Sequence, residues 1–173
     1  QILANAKAFV DAVAKSKPGA LNYASSGIGG NTHLVSELFA TMAGITITHV
    51  PYKGSGPALT DLSAGQVQLA VSTLNVLRPH VLAGRLRGLG VTSLKRVAAS
   101  GDLQTLDEQG LKGFETGSWF GMAVPTGTPR DIIMKLHAGS IKAIASPDIR
   151  DRMMAEGAEF VGDTPEQFTA FIK

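Results

Sequence analysis

The sequence contains no cysteine among its 173 residues. Disulfide bonds and metal sites built from thiolates are therefore excluded, and an oxidising compartment is permitted without being demonstrated. No apolar stretch approaches the roughly 20 residues that span a bilayer, so no direct membrane insertion is predicted. No signal peptide is visible either, and Gln1 opens directly into a predicted helix, which indicates a piece of a longer chain.

Aromatic side chains and strong net charge are also scarce: aromatic residues make up 6% of the chain and the formal net charge is only +2. Nucleic-acid binding usually requires a clustered basic face with stacking aromatics, so no nucleic-acid partner is predicted. A small anion remains compatible with this mildly basic composition. The 44% of hydrophobic residues is enough for a packed core in one domain or two small lobes.

Apolar periodicity in the first two thirds of the chain predicts strands and helices in alternation. Pro79 is expected in a kink or near the end of the predicted helix over residues 73–84. The predicted helices cover residues 2–15, 31–43, 55–65 and 73–84, and the predicted strands cover residues 21–25, 45–50, 67–72 and 86–93. Four strand-to-helix units with short connections predict an α/β fold, in which helices cover both faces of a mostly parallel sheet.

The last third of the sequence has a different, helical character. A short helix is predicted over residues 103–110 and an extended segment over residues 114–125, followed by helices that start at TPRD, SPDI and TPEQ. Thr128, Ser146 and Thr164 are the predicted caps of these helices, each followed by a proline at the first helical position. Thr164 and Gln167 also match a capping box.

The segment YASSGIGGNTH, residues 23–33, lies at a predicted strand-to-helix junction and contains three glycines in four positions. Such a junction presents free backbone amides and the positive end of a helix dipole, which suits a phosphate or a carboxylate. Ser25, Ser26, Asn31 and Thr32 can add hydrogen bonds to such an anion. A tight turn with a capped helix and no ligand is the alternative.

Known nucleotide and acyl-enzyme motifs do not fit this segment or the next loop. The glycines at 27, 29 and 30 depart from the G-x-G-x-x-G spacing, and residues 46–49 lack the acidic residue that would bind a ribose. No G-K-[ST] follows, which excludes a P-loop. The segment KGSGP has Lys53 where a nucleophile elbow requires glycine.

The four histidines, His33, His49, His80 and His137, lie on different elements without an H-x-x-x-H pair, so no metal site is predicted. His33 is the best placed for a ligand contact, one turn into the helix that follows the glycines. His49 is a candidate to support the same cleft, because it lies at the end of the next predicted strand.

Polar residues follow two other predicted strands at the edge where a parallel sheet collects its ligand site. Tyr52, Lys53 and Gly54 follow one strand, and Ser72 and Thr73 end another. Lys53 would supply positive charge, although a solvated loop lysine is an equal alternative, and helix capping would also explain the two hydroxyls. No carboxylate occurs at these strand ends, so binding without catalysis is the simpler interpretation.

The order of these motifs resembles one known family. The segments that carry the resemblance span nearly the whole chain and read PGALNYASSGIGGNTHLVSELFATMAGITITHVPYKGSGPALTDLSAGQVQLAV, LRPHVLAGRLRGLGVTS, GFETGSWFGMAVPTGTP and GAEFVGDTPEQFTAFI. Together they look like the Bug-type solute-binding proteins of tripartite tricarboxylate transporters. The resemblance implies a bacterial periplasmic receptor without a cofactor. Its two α/β lobes, of the periplasmic-binding-protein type II class, would close on a small organic carboxylate and pass it to membrane transporter subunits.

The resemblance also implies a division of the chain and a set of ligand-binding residues. Residues 1–124 would form the second lobe, and residues 125–173 would form C-terminal helices that pack on a first lobe absent from this sequence. The surface left by that lobe would favour self-association. The implied ligand-binding residues are Ser25, Ser26, Gly27, Gly29, Gly30, Asn31, Thr32, His33, Tyr52, Lys53, Gly54, Ser72, Thr73 and Trp119.

Two further expectations concern the ligand and the lobe crossing. Many relatives carry Asp and Asn where this chain has Ser72 and Thr73, which favours a dicarboxylate, hydroxy acid or aromatic acid over an amino acid. Residues 118–125 would cross between lobes with a hinge at Gly121, or alternatively form a buried strand with Trp119 and Phe120 in the core. A ligand-sensing regulatory domain of similar fold and a small α/β enzyme acting on an anion are the alternative functions.

Overall fold

The computed structural model describes residues 5–173. The predicted start of the first helix, at residues 2–4, lies outside the described residues. In chain order the elements are α1 (Ala6–Ala14), β1 (Asn22–Ser25), α2 (Asn31–Ala43), β2 (Thr48–Pro51), α3 (Ser55–Ser63), β3 (Leu69–Ala70), α4 (Leu74–Leu82), a 3-10 helix (Ala98–Ser100), α5 (Arg130–Ile144), α6 (Pro147–Ala155) and α7 (Pro165–Ile172). Within residues 5–173, no helix is both long and apolar enough to cross a membrane.

The sheet has three parallel strands in the order β2-β1-β3, with β1 in the centre. Tyr23 lies opposite His49 on one side and opposite Leu69 on the other. Because the strands are parallel, their carboxyl ends meet at one edge, where three short loops lead into α2, α3 and α4. The prediction of a parallel sheet alternating with helices is confirmed.

The prediction of a fourth strand over residues 86–93 is wrong. This segment forms only one isolated bridge, in which the Val91 amide donates to the Gln104 carbonyl at 3.0 Å and the Val91 carbonyl accepts from the Leu106 amide at 2.9 Å. A Cβ at Gly90 would lie 2.9 Å from Leu106 Cδ2, so the glycine permits this close approach. The segment therefore pairs with a neighbouring loop instead of joining the sheet.

Two predicted boundaries and one predicted helix also need correction. Strands β2 and β3 are shorter than expected, at four and two residues. Residues 103–110 form turns instead of a helix. The Thr105 amide donates to Glu108 Oε2 at 2.8 Å, and the Glu108 amide donates to the Thr105 hydroxyl at 3.0 Å. These two hydrogen bonds close one turn, and Gly110, at φ 106°, ends the turn.

Central strand β1 is covered on both faces, as predicted. Tyr23 is fully buried in a cluster with Phe9 of α1, with Phe39 of α2 and with Phe114. Ala24 points to the opposite face, where it packs with Ala58 of α3 in a second cluster. Successive side chains of a strand alternate between faces, so β1 ties the two clusters together.

The described residues form two compact units that divide between Ser118 and Trp119. In the second unit, Trp119 makes edge-to-face contacts with Phe168 and Phe171 of α7, at centroid distances of 5.6 Å. A Cβ at Gly121 would lie 2.0 Å from the Phe168 ring, so a side chain at this position would have to displace that ring. Phe120 is 91% exposed and no strand forms here, which contradicts the alternative of a buried core strand.

The helix starts of the second unit follow the predicted caps at two of three positions. Ser146 and Thr164 are N-caps followed by proline, and Thr164 forms the predicted capping box with Gln167. The prediction at Thr128 is wrong, because α5 begins at Arg130 with Pro129 as its N-cap. The Thr128 hydroxyl instead donates to the Pro125 carbonyl at 2.8 Å.

Candidate carboxylate-binding site

The glycine loop between β1 and α2, residues 26–30, has a backbone that only glycine adopts easily. Gly27 and Gly29 have φ values of 148° and 75°. Gly30 is the N-cap of α2, with φ −73° and ψ 165°. The three glycines thus turn the chain sharply at the end of β1 and expose the N-terminus of a helix of 13 residues.

Hydrogen bonds to two neighbouring segments, the start of α2 and the loop after β2, hold this loop. The Ser26 amide donates to the Thr32 hydroxyl at 2.9 Å. The carbonyls of Ser25 and Ser26 accept from the amides of Tyr52 and Gly54 at 3.0 and 3.1 Å. The structure thus brings together two of the predicted groups of site residues, the loop and the segment Tyr52–Gly54.

Three backbone amides of the glycine loop and of the start of α2 remain available. Within residues 5–173, the amides of Ile28, Asn31 and Thr32 donate to no acceptor. Unpaired amides of a first helical turn carry partial positive charge and bind anions. The site therefore offers several hydrogen-bond donors that a carboxylate could accept.

A stack of three aromatic rings lies beside the loop. The His49 ring lies between Tyr23, at a centroid distance of 4.9 Å, and His33, at 4.1 Å. His33 Nδ1 accepts from the Gly29 amide at 3.1 Å. The Tyr23 hydroxyl hydrogen-bonds the Glu37 carboxylate, and burial together with this carboxylate raises the pKa of Tyr23.

Ser25 is not at the surface of this site. Its side chain is buried, with 1% of the residue exposed, and its hydroxyl lies 2.6 Å from His49 Nε2. The hydroxyl also accepts from the Gly27 amide at 3.2 Å. Ser25 therefore lies beneath the loop, whereas Ser26, Asn31, Thr32 and His33 are exposed or half-buried.

The pKa of His49 is lowered, first by burial and then by the neighbouring His33. A base with a lowered pKa in the folded state binds fewer protons there than in the unfolded chain. The neutral His49 therefore stabilises the fold above pH about 6.5, the ordinary value for histidine. This stability is lost as the pH falls from there through the lowered pKa.

We accordingly expect the difference in unfolding free energy between the wild type and His49→Phe to shrink as the pH is lowered from about 8 to about 5, a range that brackets the ordinary pKa of histidine. The phenylalanine variant cannot take up this proton. Urea unfolding at several pH values measures the difference. A difference that stays constant over this range would contradict the lowered pKa.

At the end of β2, Tyr52 and Lys53 face different surroundings. The Tyr52 hydroxyl donates to Asp61 Oδ2 of α3 at 2.7 Å, and this bond raises the pKa of Tyr52. Lys53 is exposed, and its ammonium forms no bond with another described residue. Gly54 caps α3 at φ 105°. Lys53 is therefore the cation available next to the loop.

The remaining predicted site residues are Ser72, Thr73 and Trp119. Ser72 is half-buried and lies two residues beyond β3, at the same sheet edge. Thr73 is the N-cap of α4, but its side chain makes no capping bond, so capping does not occupy this hydroxyl. Trp119 belongs to the second unit, where it contacts α7.

Sequence reasoning missed Tyr23, Glu37 and Asp61 as partners of this region. The i,i+4 spacing of His33 and Glu37 on α2 was a usable signal, because such residues face each other; His33 Nε2 lies 4.0 Å from Glu37 Oε1. The bond between Asn31 Nδ2 and Ser118 Oγ, at 2.5 Å, spans 87 positions and had no local signal.

One pair of side chains at this site has the types needed for nucleophilic catalysis. Ser25 and His49 resemble a nucleophile and its base, but the hydroxyl is buried and the nearby Glu37 carboxylate binds Tyr23 rather than orienting His49. In the part of the chain that the structure describes, no group of three His, Asp or Glu side chains could hold a metal ion. Anion binding is the chemistry that the geometry supports.

Comparison with known proteins places nearly the whole chain in one family. The family model described as tripartite tricarboxylate transporter family receptor matches residues 4–173. A UPF0065 protein from Pseudomonas sp. (strain P51) is 41% identical over 161 residues, which are 92% of this chain and 48% of the relative. BugT from Bordetella pertussis is 34% identical over 158 residues, 91% of this chain and 48% of that protein. The chain thus spans about half the length of these curated relatives.

Solved structures show the same fold. An R. palustris protein with adipate has a TM-score of 0.92 at 35% identity, covering 98% of this chain and 56% of that one. The periplasmic binding protein BugD has a TM-score of 0.89 at 35% identity, covering 98% of this chain and 57% of BugD. MatC from Rhodopseudomonas palustris with bound malate has a TM-score of 0.82 at 31% identity, covering 94% of this chain and 54% of MatC. The expected periplasmic-binding-protein fold is confirmed. From the family match and these relatives, the chain belongs to the Bug-type receptors of the tripartite tricarboxylate transporter family.

Proposed function

We propose that this chain forms the carboxylate-receiving part of a periplasmic solute-binding receptor, which captures a small organic carboxylate and delivers it to the membrane subunits of a tripartite tricarboxylate transporter. The observation that carries the proposal concerns the amides of Ile28 in the glycine loop and of Asn31 and Thr32 at the start of α2, which donate to no acceptor within residues 5–173. A carboxylate placed there would gain charge-assisted hydrogen bonds and the favourable end of the helix dipole.

The proposed ligand is a dicarboxylate, a hydroxy acid or an aromatic acid. Two of the similar structures contain adipate and malate, which are small dicarboxylates. In this chain Lys53 supplies an unpaired cation beside the loop, and Ser72 and Thr73 supply hydroxyls in place of a carboxylate. An ammonium group would therefore find no anionic partner at these two positions, which disfavours an amino acid.

We further propose that the protein binds its ligand without chemical change. The hydroxyl that could act as a nucleophile is Ser25, and it is buried beneath the loop. In this proposal residues 1–124 form one lobe of the receptor and residues 125–173 form helices that pack on the other. Exposed apolar side chains within residues 125–173 support that arrangement, namely Ile132, Met134, Leu136, Met153, Met154 and Ile172.

Titration of the full chain with adipate, malate, benzoate and glutamate, followed by amide NMR and calorimetry, tests this function. We expect the three carboxylates without an ammonium group to shift the amide signals of Ile28, Asn31 and Thr32. The diamide of adipic acid is the matched control, since it has the same length without charge. Equal binding of the diamide, or conversion of any ligand to a product, would contradict the proposal.

A further inference from the structure

His49 has no role in the proposed ligand contacts, yet it lies at the centre of the contacts beneath the loop. Its strand pairs in register with β1, where Tyr23 lies opposite His49. Ser25 lies two residues beyond Tyr23 and therefore on the same face of the sheet. The imidazole thus contacts the Tyr23 ring and the Ser25 hydroxyl together.

The Ser25 hydroxyl links His49 to the loop backbone. It lies 2.6 Å from His49 Nε2 and accepts from the Gly27 amide at 3.2 Å. The Gly27 carbonyl in turn accepts from the amide of Gly30, the N-cap of α2, at 3.4 Å. A continuous chain of hydrogen bonds therefore runs from His49 to the start of the helix.

A second path runs through the ring stack. His33 packs on His49 at 4.1 Å, and its Nδ1 accepts from the Gly29 amide at 3.1 Å. The two imidazoles thus hold the amides on either side of Ile28, one through Ser25 and the other directly. Among the described residues, the Ile28 amide between them has no acceptor.

We propose that His49 is a positioning residue of the glycine loop, which fixes the Gly27 amide through Ser25 and the Gly29 amide through His33, and so leaves the Ile28 amide free for a carboxylate. The ligand part of this inference rests on the function proposed above. The part that concerns the loop does not require a ligand. Each path can be broken separately, because one depends on a ring nitrogen and the other on ring stacking.

Two substitutions at His49 separate the paths. His49→Phe keeps a ring for stacking on His33 but loses the nitrogen that contacts Ser25. His49→Gln keeps a polar group near the position of Nε2 but loses the stacking. By amide hydrogen exchange without ligand, we expect His49→Phe to accelerate exchange at Gly27, roughly tenfold for loss of one net hydrogen bond, with little change at Gly29. His49→Gln should show the reverse pattern.

Carboxylate affinity provides the second measurement. We expect His49→Phe and Ser25→Ala each to weaken adipate binding by roughly tenfold, which is about 1.4 kcal/mol. The double variant should bind no more weakly than either single variant, because both changes break the same path. His137→Phe is the matched control. It makes the same chemical change in the second unit, where His137 Nε2 contacts the Asp163 carbonyl, and it should leave loop exchange and affinity unchanged.

Three results would overturn the positioning role: equal acceleration at Gly27 and Gly29 in both His49 variants, unchanged exchange in both, or fully additive losses in the double variant. The first would mean that His49 serves only general packing. If the wild type bound no carboxylate, the proposed function would fail, whereas the exchange pattern would still decide the role of His49. Should His49→Phe not fold, Ser25→Ala tests the same path from the loop side.

Discussion

Replacing Asn31 by proline is expected to weaken carboxylate binding by roughly 10- to 100-fold relative to Asn31→Ala. Proline removes the Asn31 amide, and a hydrogen bond to a charged group contributes about 1.5–3 kcal/mol. Each 1.4 kcal/mol corresponds to about tenfold in affinity. Calorimetric titration of both variants with adipate measures the difference.

The backbone at this position allows proline to remove the Asn31 amide without disturbing the helix. Asn31 is the first residue of α2, where proline is tolerated because the amide has no helical acceptor. Gly30, at φ −73° and ψ 165°, already has the extended backbone that a residue before proline adopts. Asn31→Ala loses the same side chain and the same bond to Ser118, but it keeps the amide. If the two variants melt at similar temperatures and bind adipate equally, the Asn31 amide does not contact the carboxylate.

Local patterns were sufficient to predict the elements that carry this site. The three glycines after a short apolar strand predicted the turn, and the following apolar periodicity predicted α2, which ends at Gly44 as expected. Parallel strands followed from the short connections between strands and helices. These features depend on residues close together in the chain, so the sequence contains their causes directly.

The predictions that failed have a common physical cause, which is contact between segments that are distant in the sequence. Residues 86–93 have the composition of a strand, but Gly90 lets the loop around Leu106 approach closely and pair with them instead. The burial of Ser25 depends on the register that places His49 beside Tyr23, which no local pattern specifies. Local sequence thus predicted the loop that forms the candidate site, whereas the contacts beneath that loop depend on the register of the sheet.

Substitution of Gly29 by valine is expected to weaken adipate binding by roughly 10- to 100-fold and to destabilise the fold by about 1–3 kcal/mol, the usual cost of a non-glycine residue in a left-handed conformation. Gly29 has φ 75°, and nothing lies within 4 Å of a Cβ built there. The cost therefore comes from the backbone and not from a clash. A β-branched residue disfavours this conformation strongly, so the loop relaxes, and the Gly29 amide leaves His33 Nδ1.

Gly44→Val is the matched control for this effect, because Gly44 has φ 63°, an equally open Cβ position and a place at the opposite end of the same helix. Both variants introduce valine into a left-handed backbone, so we expect similar losses in unfolding free energy by urea titration. Only Gly29→Val disturbs the loop that holds the Ile28 amide between two fixed neighbours, so only it should lose affinity. Equal adipate affinity in the two variants, at matched stability, would mean that the carboxylate binds elsewhere than the glycine loop.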